Sequence, residues 1–209
     1  MKRIAMLTIA FLAAAFSMNA AQMSDQTKTV LANIEKANAS IITITSPVTE
    51  TRSLPNGKQF VSKGIFYFSH PNLLAIRYSE PEGDYLVINT EEVGQKKKHG
   101  KSFNLSLKRN ETMQKLSSTL LCCISGKLIQ LAEENNATVT SSEANGVINL
   151  VFEAQTKGSR DFKKFELTYD KATMRLMAMA LTDKSNVVTK YTMDGAEYGA
   201  TIDPSVYEL

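Results

Sequence analysis

Apolar and polar residues along this chain follow two rhythms, and the change of rhythm marks where one kind of element gives way to another. Val30, Ile34, Ala37 and Ile41 recur at spacings of four, three and four, the stripe of a single helix face. Ser24 or Asp25 supplies its cap. From about Ile41 the period shortens to two and β-branched residues dominate. Pro55-Asn56-Gly57 carries turn chemistry, so a hairpin is predicted there. Further strands are predicted over residues 59–69, 73–79, 84–90, 137–142, 147–155, 162–170, 174–182 and 187–193, with Asn145-Gly146 as a second hairpin turn. Their short polar connections favour antiparallel neighbours, because a parallel crossover needs about a dozen residues or more.

One interruption breaks the β pattern. Asn110 is placed to cap a helix carrying Met113, Leu116, Leu120 and Leu121, which Gly126 ends before a further turn from Leu128 to Glu133. The chain has no Pro-, Gly- or Ser-rich linker, no fixed-period repeat and no low-complexity tract. The pattern therefore predicts one α+β domain with a meandering antiparallel sheet.

Residues 162–169 alternate as a half-buried strand should, with Phe165, Leu167 and Tyr169 on one face and Lys164, Glu166 and Thr168 on the other. Four other segments do not. Ile65–Phe68, Leu73–Ile76, Tyr85–Ile88 and Val147–Phe152 are apolar at nearly every position, so both of their faces must be covered. The predicted helices can cover one face. The other needs a second sheet, a partner or a bound apolar ligand, and an ordinary filled sandwich or barrel fits the same pattern. Met174, Met177, Met179 and Met193 suit either core gap-filling or a surface that adapts to ligands.

The N-terminus reads differently. Lys2 and Arg3 precede an apolar run from Ile4 to Phe16, followed by small and polar residues, the layout of a secretory signal. That run reaches only about 20 Å as a helix, short of the roughly 30 Å hydrocarbon slab. Residues 1–21 are expected to be a signal peptide cut after Ala20 or Ala21, and 22–209 the working domain. No Cys lies near the boundary, which argues against a lipid-anchored N-terminus.

Composition then narrows the function classes. The 209 residues include 24 Lys plus Arg and 21 Asp plus Glu, with 43% hydrophobic and 22% charged residues, an ordinary globular balance. Without Lys2 and Arg3 the remaining 22 basic residues nearly cancel the 21 acidic ones, so a nucleic-acid partner is not expected. Two His, two Cys and no Trp, with none of the usual catalytic or metal-binding motifs, give no catalytic residue, no metal site and no cofactor. An enzyme is not expected. Cys122 and Cys123 are neighbours on a predicted helix, where adjacent side chains diverge by about 100°, so they cannot pair with each other there and read as buried thiols, with a redox or intermolecular role as the alternative. The run Lys96-Lys97-Lys98-His99-Gly100-Lys101 fits either a solvated loop or contact with an acidic partner or anionic headgroups.

The stretch Gly64-Ile65-Phe66-Tyr67-Phe68-Ser69-His70-Pro71-Asn72-Leu73-Leu74-Ala75-Ile76-Arg77-Tyr78, followed by Pro81 and Tyr85-Leu86-Val87-Ile88-Asn89, resembles the outer-membrane lipoprotein carrier proteins, the LolA family. The signal without a lipidated Cys, the opening helix, the central helical insertion and Lys164-Phe165-Glu166-Leu167 are similar to it as well. The resemblance implies a strongly curved, incomplete antiparallel β-barrel covered by a few α-helices, whose apolar concave side receives acyl chains. It implies a periplasmic carrier that takes acylated lipoproteins from an inner-membrane ABC-type transporter to an outer-membrane acceptor, working as a monomer. Leu74, Ile76 and Leu86 would face the cavity by position in the motif, with Ile88 in the same strand as Leu86. Alternation adds Phe66 and Phe68, and Leu116 and Leu120 would belong to the lid. Family members often carry Arg before the turn Pro as a lid latch; here His70 stands there, a weaker donor. Whether Arg77 takes its place is open at this stage. Alternatives of other classes are a lipid- or lipoprotein-sensing envelope-stress module, a hydrolase, and a structural envelope protein with a filled core.

Overall fold

The computed structural model describes residues 23–154 and 162–209. The predicted signal segment lies outside the described residues, as does residue 155 at the end of the strand predicted over 147–155. Helix α1 (Asp25–Asn38) opens the described chain, and its first turn is capped by Ser24, whose Oγ accepts the Thr27 N–H. Six strands follow: β1 (Thr43–Ser53), β2 (Gln59–Ser69), β3 (Leu73–Glu80), β4 (Glu82–Ile88), β5 (Glu92–Lys96) and β6 (Phe103–Ser106). Then come α2 (Glu111–Ser125) and α3 (Leu128–Glu134), and after them β7 (Ala137–Ala144), β8 (Val147–Ala154), β9 (Phe162–Asp170), β10 (Leu176–Asp183), β11 (Val188–Met193) and the short β12 (Glu197–Tyr198).

All strand pairings are antiparallel, in the order β6-β5-β4-β3-β2-β1-β11-β10-β9-β8-β7, with β12 added beside β1. Two meanders, β1–β6 and β7–β11, are thus stitched together where β1 meets β11. The sheet does not close: β6 and β7 are its free edges. The chain crosses from one free edge to the other through α2 and α3, which places the helices over the concave side. This is the α+β class with antiparallel meanders that the pattern predicted, in the incomplete barrel that the resemblance implied.

Local chemistry accounts for the joints. Asn110 caps α2 through its Oδ1, which accepts the Met113 N–H at 3.1 Å. Gly126 ends α2 at φ +75°, a conformation open to Gly at little cost. Asn145 and Gly146 both sit at positive φ, the geometry of the tight β7–β8 turn.

The differences from the sequence reading have physical causes. Helix α1 buries Leu31 and Ile34, while Val30 and Ala37 are half-buried, so its stripe is rotated by about one residue. Strand β10 starts at Leu176 rather than residue 174, because Met174 turns through positive φ. Strand β4 runs two residues earlier at each end. Its exit is fixed by Asn89, whose Oδ1 accepts the N–H groups of Glu91 and Glu92. Strands β5, β6 and β12 were not anticipated, since Gly94 and Gln95 interrupt any apolar alternation and the other two are very short.

The doubly apolar strands receive their second cover from the chain itself. On the convex side of β3 and β4, Ala75 and Val87 are buried with Tyr207, and Tyr67, Leu73, Tyr85, Ile202 and Val206 pack around them. Arg77 holds this C-terminal segment: its Nε donates to the Val206 carbonyl at 3.0 Å and its guanidinium also to that of Glu208. The Tyr207 hydroxyl meets Ser69 Oγ at 2.8 Å, and Asn89 Nδ2 donates to the Tyr207 carbonyl at 3.3 Å. Gly94 leaves room for Leu209, since a Cβ there would lie 2.1 Å from Leu209 Cδ2. Strand β8 alternates after all, with Ile148, Leu150 and Phe152 fully buried and Val147, Asn149 and Val151 only half-buried. Ala75 and Ala178 both face away from the concave side. Ala75 belongs to the convex cluster, and Ala178 pairs with Thr168 and Thr192 on the face opposite Met179.

Candidate functional site

On β1 the even-numbered residues face the concave side: Ile44, Ser46 and Val48, then Glu50 and Arg52. Registry carries each into a layer across the sheet. Ile44 lies opposite Phe68, Phe68 opposite Leu74, and Leu74 opposite Ile88. One layer along, Ser46, Phe66, Ile76 and Leu86 line up the same way. In the third layer Val48 faces Gly64 and Gly64 faces Tyr78; in the fourth, Glu50 lies between Ser62 and Tyr191.

The first two layers hold all six strand residues singled out from sequence. Phe66, Phe68, Leu74, Ile76, Leu86 and Ile88 are buried in one apolar cluster with Leu120, and Leu116 is half-buried against it. Leu31, Ile34, Ile124, Leu128 and Leu131 of the three helices belong to that cluster, as do Ile148, Leu150, Phe152, Phe165 and Leu167 of the second meander. Met179 and Met193 are core members too, whereas Met177 is exposed. The helices are tied down by few polar contacts. Tyr169 donates from its hydroxyl to the Cys123 carbonyl of α2 at 3.1 Å, within the core. Asn38 at the end of α1 donates to the Met174 carbonyl at 2.8 Å, and Arg175 donates to the Ala37 carbonyl and Asn38 Oδ1. Thr27 Oγ1 and Ser141 Oγ share a hydrogen bond at 3.0 Å.

His70 is exposed at the β2–β3 turn. Its backbone N–H donates to the Ile42 carbonyl at 2.7 Å, and its imidazole makes no hydrogen bond among the described residues. Arg77 works on the convex side, on the C-terminal segment. Cys122 and Cys123 are both buried and unpaired. Burial pushes the Cys122 thiol up to about 11, and that of Cys123 higher still.

The far layers open into a cavity of about 660 Å³, and none of the eight apolar positions singled out from sequence lines it. Phe60, Phe103, Leu105, Met113 and Phe162 form its apolar part. Its floor is ionic. Glu50, only 5% exposed, accepts the Lys97 ammonium at 2.5 Å and the Tyr78 hydroxyl on the same Oε2. That ammonium also stands 3.7 Å from the Tyr78 ring centroid, a cation–π contact. Burial holds the Lys97 pKa down against the pull of Glu50. Burial likewise raises the Tyr78 phenol well above its ordinary value, with further contributions from Tyr191 and Glu50.

The loop after β5 folds over this floor. Both Asp84 carboxylate oxygens accept the Lys98 N–H, at 3.0 and 2.8 Å. Arg52 Nη1 donates to the His99 carbonyl at 3.2 Å, and the His99 ring stacks on Phe60 at 5.3 Å. Of the basic run, Lys96, Lys98, His99 and Lys101 are exposed as a solvated loop would have them. Lys97 departs from that reading, as it is an interior partner of Glu50. The sequence did hold one sign of this site: Glu50 is the one carboxylate of β1, at an inward position two residues before Arg52.

A search of curated proteins finds no match. Among solved structures, an uncharacterized conserved protein from Thermus thermophilus is 12% identical with a TM-score of 0.49, covering 88% of this chain and 94% of that one. A LolA superfamily protein from Nitrosomonas europaea is 8% identical with a TM-score of 0.43, covering 87% and 97%. MucB in the Pseudomonas aeruginosa MucA/MucB complex is 12% identical with a TM-score of 0.41, covering 87% of this chain but 60% of that one. The sequence pattern of the outer membrane lipoprotein carrier protein LolA matches residues 49–209, and the chain belongs to that family.

Proposed function

We propose that this chain is a periplasmic carrier chaperone that shelters the acyl chains of lipoproteins between its concave sheet and its helices. One observation carries the reading: in a chain of this family, an unclosed sheet presents an apolar concave face that its own helices cover without any strand pairing. Hydrocarbon that enters must take over contacts now made by Leu120, Ile124, Leu128 and Leu131, so Leu116 and Leu120 act as lid. Phe66, Phe68, Leu74, Ile76, Leu86 and Ile88 become the floor of the opened space.

Energetics favour such an exchange over a preformed pocket. Each buried methylene contributes about 0.8 kcal/mol, so a long acyl chain in a fully dry, waiting cavity would be held too tightly for handover. Where helical side chains must first leave the same surface, part of that gain is offset. Cargo is then held well enough for transit and still released to a stronger acceptor. The cargo would come from an inner-membrane ABC-type transporter and go to an outer-membrane acceptor, the carrier acting as a monomer after removal of residues 1–21. His70 is retained as a candidate lid residue in the opened state.

The test is release of lipoproteins from spheroplasts of a Gram-negative host by the purified chain. Lipoprotein recovered in the soluble fraction bound to this chain is the expected result. No recovery by the native chain, under conditions where it remains folded, would contradict the carrier reading.

A further inference from the structure

We propose that the cavity at the open end of the concave face, which adjoins the helix-covered core through Tyr191, Phe103 and Phe162, is a second ligand site, and that it takes a single-chain amphiphile with an anionic head. The proposal goes beyond the carrier reading and does not depend on it. A volume of about 660 Å³ lies within the range of small-molecule sites, roughly 300–1,000 Å³. Its lining is split, as an amphiphile requires: Phe60, Phe103, Leu105, Met113 and Phe162 on one part, charged groups on the other.

The charged groups decide the sign of the head. Every carboxylate lining the cavity already accepts hydrogen bonds from the protein. Glu50 has Lys97 and Tyr78, Asp84 has the Lys98 N–H twice, and Asp183 Oδ1 accepts the Val187 N–H at 2.9 Å. The cations are less committed. Arg52 donates to the His99 carbonyl and keeps most of its five donors. The Lys101 ammonium has no hydrogen bond or ion pair among the described residues, although it too lines the cavity. Glu50 neutralises Lys97, so the floor neither repels nor captures an anion by itself. Among the charged groups of the lining, the donors left over are those of Arg52 and Lys101, beside the neutral hydroxyls of Ser62, Ser185 and Thr189, and the two cations match the acceptor oxygens of a carboxylate or phosphate. A fatty-acid carboxylate and a lysophospholipid phosphate share that chemistry, and the experiment separates them.

Isothermal titration of the purified chain, expressed with its own N-terminal segment, uses four probes below their micelle concentrations. They are palmitate, palmitoyl lysophosphatidylglycerol, palmitoyl lysophosphatidylcholine and glycerol 3-phosphate. At least one of the two anionic amphiphiles is expected to bind roughly tenfold or more tightly than the zwitterion, with no binding of the tail-less phosphate. The tighter anion identifies the head. The double variant Arg52→Gln, Lys101→Glu should lose that roughly tenfold preference while its melting temperature stays near the native value. Equal affinity for anionic and zwitterionic probes, absence of binding by both anions, or an undiminished preference in the folded double variant would each overturn the proposal. Lipoprotein release by the same variant is scored separately, so failure of this site and failure of the carrier reading are distinguishable.

Discussion

The two ends of the concave face are built by the same strands and end up as different materials. At one end, Ile44, Phe68, Leu74 and Ile88 meet beneath three helices and exclude everything else. Three layers along β1, Glu50 replaces an apolar residue, Lys97 and Tyr78 close on it, and among the described helical residues only Met113 reaches the cavity that opens there. An apolar layer invites a cover and becomes core. A charged layer needs its own partners and leaves space beside them. One end must therefore be opened before it can hold hydrocarbon, and the other is already open.

The largest expected effect strikes the ionic floor. Lys97→Met leaves the Glu50 carboxylate buried beside a phenol alone and should cost about 3–5 kcal/mol in urea unfolding. The double variant Glu50→Leu, Lys97→Met should recover most of it. A single variant as stable as the native chain would show that the open end does not rest on this pair. At the covered end, Leu120→Ala should cost about 2–5 kcal/mol and weaken the helical cover, so that more lipoprotein is loaded in the spheroplast assay. Lost stability with lowered loading would mean that Leu120 serves only as core.

A smaller change probes the cover without carving a hole. Tyr169→Phe removes the hydroxyl that holds the Cys123 carbonyl and should cost about 1 kcal/mol, with faster amide exchange in α2 than in β2–β4. Uniform loosening of both would erase the contrast between lid and sheet.

The thiols give a pH signature at the covered end. Burial raises the Cys122 pKa from an ordinary 9.0 to about 11, so the folded state keeps a proton that the unfolded chain loses first. That contribution is fully present below about pH 9 and is lost as pH rises through about 11. The stability difference between the native chain and Cys122→Ala should narrow across that window, measured by unfolding at stepped pH. A constant difference would place the thiol in a wetter setting than its burial indicates. The smallest effect belongs to His70: as an exposed turn residue, His70→Leu should move stability by no more than about 0.5 kcal/mol. A larger loss would reveal a contact made outside the closed state.

Much of this architecture was readable before any coordinates. The Asn110 cap and the Gly126 stop are local chemistry, and they fell where the sequence put them. So did the Asn145-Gly146 turn and the alternation of Phe165, Leu167 and Tyr169. The six strand positions were legible as one buried set, Leu74, Ile76 and Leu86 by their place in the family motif, Ile88 as a member of the same strand as Leu86, and Phe66 and Phe68 by alternation. What covers a strand, however, is decided by residues far away in sequence. The apolar convex face of β3 and β4 pointed to a second sheet, partner or ligand, yet Tyr207 and Val206 cover it, more than a hundred residues downstream. Lys97 looked like one more lysine in a basic loop. Only the pairing of β4 with β5, and the fold of the loop after it, bring it to Glu50.

The most direct test of the account places a photo-reactive benzoylphenylalanine at Leu116, half-buried on the cover, and in a second chain at Val61, exposed on β2. After incubation with spheroplasts and irradiation, the account expects lipoprotein acyl chains crosslinked at 116 and none at 61. Crosslinks at 61 with none at 116 would show that hydrocarbon never passes beneath the helices, and the concave core would then be only a core.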